Sequence, residues 1–569
     1  MIVLLLMIAV AGEFRVRTVE IEGNEYFKES AIKKVMLTRP ANLFRKGIFS
    51  EDIFTGDIEA IQSLYIYEGF LDAEVVHDLR YDSIGNGVDI SVKVTEGGQY
   101  FTGSIRFRGN AVIHSDSLAP KMMLRAGKVF DRRKVDTDNY IIKYSYDDLG
   151  YADVEVESDY NVDNYTVDVI HRITEGEQQH VGKIELLGLK RTRPSVVARE
   201  LRIAEGDLLR YARILDSQRR LYRLGIFTTI RTRIEDAGIA GHKNVQFLLA
   251  ERNRAVMNLR IGYGTRDMIR FGVGATHYNM FGRAWQGKIE GKLSFVEQRI
   301  NGQVTFPRTF LLPGNLALGF FVKRLEEIGY VTQSLGGNVS TRFELGKNEL
   351  SVKYELERIR THYAVDDSTS TDLLHGVIVG WIRDRRDDPF YTKKGSYIGA
   401  NVEMSGIILP SDVDYVRPTA QLRVYTPVAG VVLAAVTKAG MVMAVSPTVE
   451  VPVYKRFYCG GTSSVRGYSE RSIGPVDEND NPLGGRFLGE CSAEVRFPIY
   501  KILGGVLFID GGNIWEDHEE ITPSLRWGIG CGLRLKSFLG SVRLDYGFKL
   551  LREEEEAAGV LHFAIGEAF

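Results

Sequence analysis

The sequence predicts two kinds of fold in one chain. Three α+β repeats of β-α-α-β-β order come first, and an all-β transmembrane barrel of about 16 antiparallel strands follows. Three observations carry this prediction. One pattern of strand, helices, glycine and two strands recurs three times between Phe14 and about Arg252. Helical periodicity then vanishes after Arg254. Finally, the connections of the second half alternate between tight and long.

The chain has 569 residues, too many for one ordinary core. It holds 59 Gly but 15 Pro, with 10% aromatic residues, a profile of large glycine-bearing β-structure rather than disorder. Formal net charge is -2 and no basic face is evident, so nucleic acid is not an expected partner. Residues 1–12 read as a secretory signal peptide: an apolar run ends in Ala9-Val10-Ala11, although a basic leading region is lacking. No later run approaches the length of a membrane-spanning helix. Cys459, Cys491 and Cys531 form neither a CxxC nor a Cys/His cluster, so they read as isolated thiols and no metal site is expected.

Each repeat opens with an alternating strand ending in glycine: "VRTVEIEGN", "GSIRFRGN", "GKIELLGL". Two helical patterns follow, the second being "DIEAIQSLYIYEGF", "NYIIKYSYDDLGY" and "DSQRRLYRLGIF". Their apolar residues recur every three and four positions and give one buried stripe. Gly69, Gly150 and Gly225 stand where a left-handed helix end is cheapest. Two more strands close each unit. The boundaries read as 13–97, 98–178 and 179–253, with the barrel over 254–569.

In the second half, "SVRLDYGFKL" sets Val542, Leu544, Tyr546, Phe548 and Leu550 against Arg543, Asp545, Gly547 and Lys549. "LRWGIGCGLRL" alternates likewise. About sixteen such strands, at roughly twenty residues each with its connection, suit a barrel whose apolar face meets lipid. Long connections near Thr361, Glu516 and Arg552 fall after odd strands, and tight ones near Gly346, Pro427 and Lys536 after even strands. The former are expected outside and the latter in the periplasm. The longest connection, from about Ser446 to Gly485, comes out as the sixth external loop.

That loop contains "GGTSSVRGYSERSIGP", with Arg466-Gly467-Tyr468 flanked by Arg471. Loop closure entropy grows slowly with length, so a long loop can be anchored internally. Arginine offers a rigid fork that holds carboxylates bidentately, and Gly467 permits close backbone approach. Alternation places Glu490, Ser492, Glu494 and Arg496 inward, away from lipid.

The repeats resemble POTRA domains, chiefly at "EGFLDAEV" and "LGYADVEV". "RFYCGGTSSVRGYSERSIGP", "GGRFLGECSAEVRFPI" and "FIDGGNIW" resemble the BamA/TamA superfamily of outer-membrane protein assembly factors. Three repeats suggest a TamA-like or short BamA-like member. The resemblance implies that Val465, Arg466, Gly467 and Tyr468 form a motif folded back into the barrel. It also implies that Arg466 meets acids on strands twelve and thirteen, matched here by Glu494 and Asp510. It further implies an outer-membrane location, periplasmic repeats, unfolded outer-membrane clients, accessory subunits bound by the repeats, and no cofactor.

"LHFAIGEAF" alternates and ends on Phe569, with Gly566 where the last strand of this family tends to kink. A glycine there weakens pairing with strand one, Ala255 to Gly264, and a frayed edge can template another strand. Leu259 and Ile565 are expected near register across that seam. The function so implied is insertion of clients through the seam, without covalent chemistry. A two-partner secretion pore and a passive or gated porin are the alternatives. No GxSxG elbow, P-loop or HExxH points to an enzyme, and "RDRRDDP" reads as a solvated turn.

Overall fold

The computed structural model describes residues 14–41, 47–82, 86–307, 314–389, 391–500, 502–537, 540–550, 552 and 556–565. The expected signal segment, Gly566 and Phe569 lie outside the described residues.

Each repeat builds one three-stranded sheet in which the last strand lies in the middle. In the first, Arg15–Glu22 pairs in parallel with Gly87–Thr95, which pairs antiparallel with Glu74–Asp82. The second uses Phe101–Arg108, Thr166–Thr174 and Glu155–Asp163 in the same way. The third uses His180–Leu187, His242–Glu251 and Phe227–Asp236. The central strand alternates between buried and less buried residues, as in Val88, Ile90, Val92 and Val94. A helix lies over each sheet: Glu51–Tyr67, Arg132–Asp147 and Tyr211–Arg223. Phe54, Ile61 and Tyr65 bury the stripe of the first, and Val135, Ile142 and Tyr146 that of the second.

The preceding helices are short: Glu29–Val35, Ser115–Leu118 and Pro194–Ala198. Backbone donors just beyond each helix account for where it stops. Met36 leaves the helix in extended conformation, and the backbone N–H groups of Leu37 and Thr38 donate to Asp57 at 2.6 and 2.7 Å. In the second repeat Met123 and Leu124 donate to Asp138, and in the third Arg202 donates to the Ser217 hydroxyl at 2.7 Å. A buried polar side chain on the long helix thus satisfies backbone donors that a longer first helix would have used itself. Gly69, Gly150 and Gly225 end the long helices at φ of 86°, 87° and 69°.

The second unit is a closed antiparallel barrel of sixteen strands, with Met443–Ala444 continuing Val431–Met441. Strand one is Ala255–Gly264 and strand sixteen is described over Gly559–Ile565. Apolar residues face outward: Leu544, Phe548 and Leu561 are exposed, while Asp545 and His562 are buried inward. Charge inside and hydrocarbon outside is the polarity expected of a wall in lipid, the reverse of a soluble sandwich. The connections near Glu516 and Arg552 follow strands thirteen and fifteen as expected. The one near Thr361, after strand seven, is only the five residues 364–368, because the flanking strands run on to Tyr363 and start again at Thr369.

The barrel also holds an apolar cluster of its own. Val451, Phe457, Cys459, Val465, Tyr468 and Ile473 of the long connection pack against Ile359, Leu374, Tyr415 and Ile514 of the wall. Cys459, Cys491 and Cys531 are unpaired thiols.

Candidate functional site: an internal lid

The connection after strand eleven, residues 445–486, returns on itself through bridges between Phe457 and Gly485, Cys459 and Ile473, and Val476 and Pro482. Its tip is a tight turn in which Gly461 N donates to Val465 O at 3.3 Å and Ser464 N donates to Gly461 O at 3.2 Å. The turn presents Arg466 to the wall.

Arg466 is 6% exposed. Its Nε and Nη2 donate to the two oxygens of Asp510 at 2.7 and 2.8 Å, and its backbone N–H reaches Asp510 Oδ2 at 3.1 Å. Nη1 lies 2.8 Å from Glu494 Oε1 and 3.6 Å from Asp545 Oδ2. The guanidinium also stacks over Phe508, 3.6 Å from the ring centroid. Glu494 lies on strand twelve, Phe487–Tyr500, and Asp510 on strand thirteen, Leu503–Trp515. Both motif partners proposed from sequence therefore meet the arginine. Asp545, on strand fifteen, is inward by alternation, and the local pattern alone does not link it to the loop.

The other partners of these acids are supplied by the wall. Ser492 Oγ donates to Asp510 at 2.7 Å, Arg496 holds Glu494 at 2.6 Å, and Arg534 pairs with Asp545. A fully charged group inside a protein is tolerable only when its remaining hydrogen-bonding sites are filled, and here they are.

Glycines set how deeply the turn is seated. Gly467 has φ of 106°. A Cβ at Gly528 would lie 1.9 Å from Arg466 O, and one at Gly547 would lie 2.4 Å from Gly467 N. Gly528 and Gly547 sit on neighbouring strands, so bare backbone there lets the lid rest directly on the wall. This use of two inward glycines was not evident in the sequence. Tyr468, 1% exposed, fills the space beside them, with Lys549 Nζ 4.9 Å from its ring centroid.

Two further clamps hold the lid. Arg471 Nη2 lies 2.7 Å from Glu327, which also pairs with Arg266 at 2.5 Å, and Arg471 stacks over Tyr458 at 4.0 Å. Lys455 lies 2.9 Å from Glu403, and Tyr454 donates to Asp372 at 2.7 Å. At the turn, Lys438 pairs with Glu490 at 3.0 Å, and Ser464 donates to the same carboxylate.

The lid touches both sides of the barrel's closure. Thr462 Oγ1 lies 3.0 Å from His562 Nδ1 on strand sixteen and 3.4 Å from Thr265 Oγ1, just past strand one. Among the described residues, strands one and sixteen join in two register pairs, Tyr263–Ile565 and Gly264–Ala564. Strands one and two join in ten. Ile565 thus stands opposite Tyr263, not near Leu259 as expected from the sequence. A Cβ at Gly262 would lie 2.8 Å from Ile565 O, so glycine sets the close approach there.

Comparison with known proteins places this geometry in context. The Omp85 superfamily domain matches residues 279–569. The POTRA family, described as a surface antigen variable number repeat, matches 14–97, 100–176 and 179–252. The outer membrane protein assembly factor BamA of Nitratidesulfovibrio vulgaris is 26% identical, over 100% of this chain and 75% of its own length. BamA of Neisseria meningitidis serogroup B is 23% identical, over 98% of this chain and 78% of that protein. The crystal structure of Haemophilus ducreyi BamA lacking POTRA domains 1–3 shares the fold. Its TM-score is 0.71 at 18% identity, covering 82% of this chain and 99% of that one.

Proposed function

The chain belongs to the Omp85 superfamily, and from that premise we propose that it folds and inserts β-barrel proteins into the outer membrane, releasing them through the wall between strands one and sixteen. The barrel resides in the outer membrane and the three repeats in the periplasm. The relatives named as outer membrane protein assembly factors support this role. Unfolded clients reach the repeats as extended chain, which exposed sheet edges accept by added pairing, and accessory subunits dock on the same repeats.

The single observation that carries the reading is the lid at the seam. The turn that carries Arg466 also places Thr462 against strand sixteen and against Thr265, the residue that follows strand one. Each seam hydrogen bond contributes only about 0.5–1.5 kcal/mol net. In hydrocarbon, however, the unpaired backbone groups of an open seam cost several kcal/mol. An open seam is thus scarce, and a client strand that pairs with it removes that cost. Insertion by strand addition requires no covalent step.

The test is a cross-link in register. Cysteines replacing Tyr263 and Ile565, with Cys531 changed to Ser, should form a disulfide that leaves the barrel folded. Client insertion in reconstituted vesicles should stop and should return on reduction. Insertion at the normal rate by the oxidised protein would refute exit through this seam.

A further inference from the structure

Register fixes which side chains face the membrane, and the outer wall is not uniform. From the strand Gly395–Ser405 to the strand Gly559–Ile565, no outward position among the described residues carries Arg, Lys, Asp or Glu. The opposite wall differs. Strands four to eight are Glu297–Phe306, Asn315–Glu327, Tyr330–Leu345, Asn348–Tyr363 and Thr369–Asp384. One cross-strand row runs Gln298, Arg324, Gln333, Arg360, Thr371. The outward row below it runs Ile300, Val322, Leu335, Arg358, Leu373.

Arg358 and Arg360 are exposed, and neither has an acidic or hydrogen-bonding partner among the described residues. Among the described residues Arg324 pairs only with its strand neighbour Glu326, at 3.0 Å. These arginines border a concavity of about 920 Å³ in the outer wall, floored by Phe271, Leu293, Ile300, Val322 and Leu335. They lie near the end of strand seven that leads to the connection 364–368, on the same side of the barrel as the long connection 445–486, whose length marks that side as external. A charge on the lipid face is tolerated close to the interface, where headgroups begin. Successive outward residues of one strand stand roughly 7 Å apart, the span of one phosphorylated headgroup.

We propose that this concavity binds a phosphate-bearing lipid of the outer leaflet. Its acyl chains lie on the apolar floor, and its phosphate is held by Arg358 and Arg360, with Arg324 at the rim. Guanidinium matches phosphate in shape and charge, and the acyl floor distinguishes a lipid from a free anion. The site lies on the outer face of the wall, whereas the lid occupies the lumen. It rests on the outer-membrane reading only for the leaflet that supplies the lipid.

The test uses the full chain in nanodiscs of phosphatidylcholine. These contain a small fraction of a diphosphorylated, multiply acylated glucosamine disaccharide or of its dephosphorylated form. Lipid retained after gentle detergent extraction is counted by mass spectrometry. The native protein should retain the phosphorylated lipid roughly tenfold above its bulk fraction and the dephosphorylated form at bulk. Added inorganic phosphate at millimolar concentration should not displace it. The R358Q/R360Q double variant, checked as folded by heat-modified gel mobility, should lose the enrichment. Arg383→Gln, outward at the other end of strand eight, should keep it. The site is overturned by no enrichment in the native protein, by equal enrichment in the double variant, by equal retention of the dephosphorylated lipid, or by displacement with free phosphate.

Discussion

At the scale of single residues, the structure turns on one cation among acids. Arg466→Ala should leave Asp510 and Glu494 without their fork, although Ser492, Arg496 and Arg534 remain beside them. Removing one member of a buried pair costs about 3–5 kcal/mol, and in a wet lumen about 1–3 is expected. The variant should lose its compact gel mobility at a lower temperature, and protease should cut near Tyr468. Unchanged mobility and protection would show that the arginine does not hold the lid. Gly547→Ala tests the seat without touching charge. Its Cβ would lie 2.4 Å from Gly467 N, so the lid must lift and the same loss should appear with all acids intact. Arg466, Glu494 and Asp510 were legible because a motif and a period-two alternation name them directly. Asp545, Gly528 and Gly547 were legible only as inward positions. Their link to the loop depends on which strands stand side by side and how deep the turn sits, and neither is encoded in local pattern. The same holds for Glu327, which receives Arg471 from far along the chain.

At the scale of elements, each repeat is built from an apolar stripe and a buried polar anchor. The long helices and their closing glycines were readable from spacing alone. The short first helices were not, because Asp57 and Asp138 look like ordinary helix-surface acids until their backbone partners are known. Asp57→Ala should strand two backbone N–H groups, Leu37 and Thr38, at about 1–3 kcal/mol each at most. A fragment spanning residues 14–252 should then melt its first repeat earlier by circular dichroism. The second repeat carries a pH dependence as well. His171 is fully buried, bonded through Nδ1 to Asn139 and Ser158, and burial pushes its pKa from 6.5 to about 4. Above 6.5 the ring is neutral folded or unfolded, and its contribution is fully present. Between 6.5 and about 4 the unfolded chain takes the proton first, so stability falls as pH falls. The total is about 3 kcal/mol at most. Urea midpoints of the fragment should drop between pH 6.5 and 4.5 by more in the native sequence than in His171→Gln, since the carboxylates are common to both. Equal slopes would remove His171 as the cause.

At the scale of the whole barrel, sixteen strands enclose enough room for an aqueous channel, and the lid decides whether one exists. Val465, Tyr468 and Ile473 are buried against the wall, and three separate clamps at Arg466, Arg471 and Lys455 hold the connection inside. A porin of this size would pass ions through a steady open state. This barrel should instead show small, irregular openings in planar bilayers, set by brief departures of the lid. Arg466→Ala frees one clamp and leaves two, so it should lengthen the openings without giving a permanent pore. Arg466→Ala combined with Arg471→Ala and Lys455→Ala should approach the steady state. If the native protein already conducts steadily, the lid is not a plug and the porin reading displaces insertion. Depletion in the native cell separates the remaining roles. An insertion factor serves many clients through one seam, so many barrel proteins should fall together in the outer-membrane fraction. The loss of one secreted protein, with all other barrels at normal abundance, would mean that the lid gates a dedicated export channel and that the wall between strands one and sixteen stays shut.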